Sequence, residues 1–68
     1  MKLLDVAATL DDMPEMKLAK GQVGTIVQEL ADDMVLVEFA DLDGIAYAIE
    51  PISRHKLMGL HYRPPMAA

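Results

Sequence analysis

Apolar and polar residues alternate with a period of two along most of the chain, the pattern of half-buried β-strands. In LLDVAATL, residues 3–10, Leu4, Val6, Ala8 and Leu10 fall on one face and Leu3, Asp5, Ala7 and Thr9 on the other, which predicts a first strand. DDMPEMKLAKG, residues 11–21, has Pro14 at its middle and charges on both sides, and reads as an irregular loop. Its Met13, Met16 and Leu18 are apolar, so the loop is expected to fold back over the core. Residues 23–30 are rich in β-branched side chains and predict a second strand, followed by a polar turn, Ala31-Asp32-Asp33. Residues 34–40 predict a third strand, with Val35, Val37 and Phe39 on an entirely apolar face and Leu36, Glu38 and Ala40 on a mixed one.

Asp41-Leu42-Asp43-Gly44 ends in Asp-Gly, a strong hairpin signal. Residues 45–49 predict a fourth strand in which Ile45, Tyr47 and Ile49 alternate with Ala46 and Ala48, and Pro51 is expected to stop it. Tyr47, like Phe39, is placed on a core face. Residues 52–56 have the length of one helical turn, and residues 57–61 predict a short last strand. YRPPMAA, residues 62–68, reads as a flexible C-terminal tail, because consecutive prolines suit neither helix nor sheet. The expectation is a single all-β domain over residues 1–61: a small five-stranded SH3-like barrel with a long first loop and one helical turn before the last strand. Closure of the sheet reduces exposed edges, which suits so short a chain.

Gly21 and Gly24 punctuate KGQVGTIVQEL, residues 20–30. Gly21 is expected to take a left-handed conformation that ends the long loop, and Gly24, within a strand, to mark a bulge or a close backbone approach.

Size and charge narrow the picture further. A domain of 68 residues without cysteine has neither disulfides nor thiolate metal ligands to stabilise it, so an efficient core or self-association must do so. The absence of cysteine fits a reducing cytoplasm. Asp5 interrupts the first apolar run, unlike a signal peptide, and no stretch approaches the roughly 20 apolar residues of a membrane span. A soluble, cytoplasmic protein is expected. The net charge of −5 is unevenly distributed: residues 21–50 carry seven acids and no base, whereas residues 51–68 carry Arg54, Lys56 and Arg63 and no acid. The acidic centre repels phosphate chains, and the basic end could reach an anionic partner or a neighbouring copy.

Chemistry-bearing constellations are sparse. His55 and His61 are the residues with general-base chemistry, but no serine–acid or cysteine partner stands at a recognisable spacing, and Ser53 sits where a serine bonds backbone. A non-enzymatic protein without cofactor is therefore expected. Asp41-Leu42-Asp43-Gly44 resembles a fragment of a calcium loop, yet position twelve counted from Asp41 is Ile52 rather than glutamate, so it reads as a turn with no metal. Six methionines suit either an irregular core or an adaptable surface. Leu36, Leu42, Ala46 and Ala48, if outside the barrel, form an apolar patch of the kind that marks contacts. With Met13 and Met16 of the first loop they make the candidate protein-binding site.

Two resemblances bear on this reading. KGQVGTIVQEL resembles the KOW motif, in which a basic residue and a glycine lead into a hydrophobic strand of an SH3-like barrel in ribosomal and transcription proteins. It implies an alternative function as an RNA-binding module using Lys17, Lys20, Arg54, Lys56 and Arg63. The longer frame LLDVAATLDDMPE…LAKGQVGTIVQEL…MVLVEFADLDGIAYAIEPI…LMGLH, over residues 2–61, resembles a family of short bacterial proteins classed as a domain of unknown function and expected to be SH3-like. The matching positions include Asp5-Val6, Pro14-Glu15, Lys20-Gly21, Val23-Gly24-Thr25, Val37-Glu38-Phe39, Gly44, Ala48 and Leu57. The family's occurrence near mobile elements and toxin-like neighbours implies an accessory or antidote-like docking role, with a protein partner and self-association, and no catalytic residue.

Overall fold

A computed structural model describes residues 2–60. It contains five antiparallel strands, β1 (Val6–Thr9), β2 (Val23–Ala31), β3 (Met34–Ala40), β4 (Ala46–Ser53) and β5 (Leu57–Leu60), in one sheet of order β4-β3-β2-β1-β5. Consecutive strands from β1 to β4 are neighbours, and β5 returns to pair beside β1. The only helical pieces among the described residues are two 3-10 turns, Pro14–Met16 and Arg54–Lys56. The result is the expected small, barrel-like all-β domain with one helical turn before its last strand. The expected tail, 62–68, lies outside the described residues.

The core follows from β3. Val35, Val37 and Phe39 are fully buried, as their shared face requires, and pack with Ala7, Ile26, Ile52, Leu57, Met13 and Leu18. The first loop supplies the last two. Met13 and Leu18 exchange backbone hydrogen bonds (2.8 and 3.1 Å) across the turn formed by Pro14–Met16, which drives both side chains inward. The loop therefore folds over the core as its apolar residues require.

Thr9 anchors the far end of that loop. It is 2% exposed; its Oγ1 donates to the Ala19 carbonyl (2.7 Å) and accepts from the Gln22 N–H (3.0 Å). Gly21 follows with φ +83°, the left-handed turn anticipated from the sequence.

Three expectations are corrected. First, β1 begins at Val6 rather than Leu3, because Leu4 takes φ +69° in a turn where Lys2 N–H meets the Asp5 carboxylate (2.8 Å). Ala7, Ala8 and Thr9 are buried, and Ala7 is the member of β1 in the core cluster, while Leu4, Val6 and Leu10 are exposed. Ala7 pairs with Gly24 on one side and Gly59 on the other, so the inner row is Gly-Ala-Gly. A Cβ on Gly24 would lie 2.6 Å from Val37 Cγ1 and 2.9 Å from Phe39 Cδ1; that space is taken by larger side chains from β3. Second, Pro51 does not stop β4, which continues to Ser53 and pairs Pro51 with Leu36. Among the described residues β4 pairs only with β3, and an edge strand tolerates the missing N–H. Third, Tyr47 is 52% exposed rather than in the core.

Candidate protein-interaction surface

Tyr47 sits at an irregularity of the β3–β4 ladder. Phe39 pairs with Ala48 and Ala40 with Ala46, so β4 carries one extra residue, Tyr47, between successive partners of β3. Such a β-bulge re-aims the side chain it contains and recurs at sheet edges. The Tyr47 hydroxyl accepts from Gln22 Nε2 (2.9 Å), and Gln22 Oε1 in turn accepts from the Ala19 N–H. The ring lies tilted at 36° to Phe39 with centroids 6.3 Å apart. A half-exposed aromatic side chain is thereby tied at one end to the first loop and at the other to the core.

Around it the edge strand is apolar. Ile49 is 51% exposed and Ile45 is exposed, while Leu42 stands fully in solvent at the tip of the β3–β4 hairpin. That tip is held by Asp41, whose Oδ1 accepts from the N–H groups of Asp43 (2.9 Å) and Ile45 (3.0 Å), and by Gly44 at φ +81°. The Asp41-Leu42-Asp43-Gly44 segment is thus a hairpin turn, as its sequence implies, and no group of three carboxylates or histidines among the described residues is arranged to hold a metal ion. Acidic side chains border the apolar strip: Glu38 sits directly across from Ile49, and Asp41 and Asp43 flank Leu42.

The structure divides the residues proposed from sequence for partner binding. Leu42 and Ala46 are exposed, and Leu36 is half-buried beside Pro51. Met13, at 2% exposure, is a core residue and leaves the set. Ala48, paired with Phe39, packs against the core from the inner face, as does half-buried Met16. Ile45, Tyr47 and Ile49 were missed. Their alternation was legible, but its phase was assigned inward, and the register irregularity beside Tyr47 has no sequence signature.

Of the basic residues proposed for RNA, Lys17, Lys20, Arg54 and Lys56 lie among the described residues, and Arg54 is held in an ion pair. Arg54 Nη2 lies 3.0 Å from Glu29 Oε1, and its Nε donates to the Asp32 carbonyl (3.0 Å), so it braces the β2–β3 turn. Lys17 is exposed, takes φ +58° and closes the Pro14–Met16 turn. Lys20 is exposed beside Asp12, which accepts its backbone N–H (2.8 Å), and Lys56 is exposed before β5. Arg63 lies outside the described residues. His55 is exposed in the second turn, whose N-cap is Ser53, with Oγ accepting from the His55 N–H (3.2 Å); His61 lies outside the described residues.

These features define a small all-β domain with an exposed, acid-bordered apolar edge strand. Residues 3–59 match the family model described as "Domain of unknown function (DUF4926)", and the chain belongs to that family. No match was found among curated proteins or solved structures. No helix of the described residues is long and apolar enough to cross a membrane.

Proposed function

We propose that this domain is a non-catalytic protein-binding module on an SH3-like barrel scaffold, acting as an accessory or antidote-like docking protein in the bacterial cytoplasm. The observation that carries the reading is Tyr47: an aromatic residue at a bulge on the edge strand, half in solvent and held in place by Gln22. Aromatic anchors with restricted freedom supply much of the binding energy at protein interfaces, since little side-chain entropy remains to be lost. Leu42, Ile45 and Ile49 extend the contact surface along the same strand and hairpin. Self-association belongs to the same proposal and is assigned to a different region, the outer face of β5-β1-β2, where Met58, Leu60, Val6 and Val23 are exposed in adjacent rows.

Capture from lysate tests the reading, with tagged wild-type and Tyr47→Ala chains and with or without nuclease. A stoichiometric protein retained after nuclease by wild type, and lost with Tyr47→Ala, is the expected result. An eluate dominated by RNA and removed by nuclease would overturn it in favour of a KOW-like function.

A further inference from the structure

We infer that the occupant of the β4 surface is a cationic, apolar segment of another protein, lying along the edge strand over Ala46–Glu50 with its apolar side chains against Tyr47 and Ile49. The inference rests on the protein-binding reading above and adds the chemistry of the partner. The apolar strip and the charge around it come from the same elements. Ile45, Tyr47 and Ile49 are exposed on or beside β4, and Glu38, Asp41 and Asp43 stand on β3 and the hairpin next to them. No base occurs anywhere from residue 21 to residue 50, so no cation of this stretch neutralises the rim. Desolvating three carboxylates beside an apolar contact is costly unless the partner brings opposite charge.

A second copy answers this poorly. An isologous pairing about β4 brings together two chains that each carry a net charge of −5 and supplies no cation from residues 21–50 of either copy. A nucleic acid answers it worse, because its phosphates meet the same carboxylates. An extended segment suits the position. β4 pairs only with β3 among the described residues, and extended peptides recognise such edges through alternate side chains. Pro51, without an N–H, sets the end of the usable edge.

Fluorescence anisotropy with three labelled peptides tests the assignment on the full chain: an alternating lysine–isoleucine peptide, its glutamate–isoleucine counterpart and an oligolysine of equal charge. The lysine–isoleucine peptide is expected to bind, with affinity falling as salt rises, and the other two to bind at least about tenfold more weakly. Tyr47→Ala and Ile49→Lys are each expected to weaken that binding by about tenfold or more. Glu38→Gln combined with Asp43→Asn is expected to flatten its salt dependence. Thermal melts of every variant identify any loss that comes from unfolding, and the two β4 variants are independent of each other in this respect.

Equal binding of the glutamate peptide, or unchanged binding by both folded β4 variants, overturns the inference. So does a wild-type dimer in sedimentation that Ile49→Lys dissociates, which would assign the face to a second copy. If the peptides fail while the lysate still yields a Tyr47-dependent protein, the partner is not cationic and the protein-binding reading stands. If both fail, both fall.

Discussion

Gly24 shows how one absent side chain sets the inner surface of the sheet. It is buried in β2 opposite Ala7, and a Cβ there would approach the Glu38 carbonyl oxygen to 2.9 Å as well as Val37 and Phe39. A side chain can rotate away; a backbone carbonyl in a paired strand cannot. Gly24→Ala is therefore expected to destabilise the domain by about 1–3 kcal/mol through overpacking. In a domain of this size that lowers the thermal midpoint by roughly 4–8 °C per kcal/mol, readable by circular dichroism. Thr9 makes the complementary case of a buried polar group that is fully used. Thr9→Val keeps the shape but leaves the Gln22 N–H and the Ala19 carbonyl without their partner. A loss of about 1–2 kcal/mol is expected, together with faster hydrogen exchange at the Gln22 amide. Gly24 was legible in the sequence as either a bulge or a close backbone approach, and the structure shows the close approach. Thr9 was not: a threonine on a mixed face gives no sign that two loop groups converge on its hydroxyl.

At the scale of elements, alternation identified the strands but not always which side faces inward. Period two partitions residues into two faces, and burial is decided by what the neighbouring strands leave room for. For β3 the partition was decisive, since Val35, Val37 and Phe39 are all apolar and all buried. For β1 it was not, because neither face is uniformly apolar and large, and the inner position goes to Ala7 in a row of small residues between Gly24 and Gly59. For β4 the bulge at Tyr47 and the continuation through Pro51 depend on pairing with β3 and on the edge position, neither of which is local information. The β3–β4 hairpin is the element whose sequence and structure agree most directly. Gly44 has φ +81° and open space where a Cβ would go, so Gly44→Ala probes backbone conformation alone. It is expected to cost about 1–2 kcal/mol, and Gly44→Asn less, since asparagine enters the left-handed region more readily. Denaturant midpoints of the two variants compare them directly.

For the whole molecule, the balance between a small core and the large apolar side chains left exposed is what distinguishes a contact surface from misplaced core. Val37 and Ile49 are both β-branched residues on neighbouring strands, yet Val37 is fully buried and Ile49 is half in solvent across from Glu38. Val37→Lys places an ammonium group in a fully buried position among Ile26, Val35 and Phe39, and half-buried Glu50, across from it on β4, meets that group only by being desolvated as well. Desolvating the charge, paired or not, costs several kcal/mol, comparable to the whole stability of a domain this small, so the chain is expected to be unfolded in dilute buffer. Ile49→Lys places the same group in water beside Glu38, where cross-strand opposite charges are mildly favourable, and its midpoint is expected to stay within about 0.5 kcal/mol of wild type. The pair of melts thus separates the two roles that hydrophobicity plays here. A cooperative transition for Ile49→Lys near that of wild type means that the β4 strip contributes to association rather than folding. A collapse of the transition in Ile49→Lys as well would mean that the strip is part of the core, and the surface built around Tyr47 would have to be abandoned.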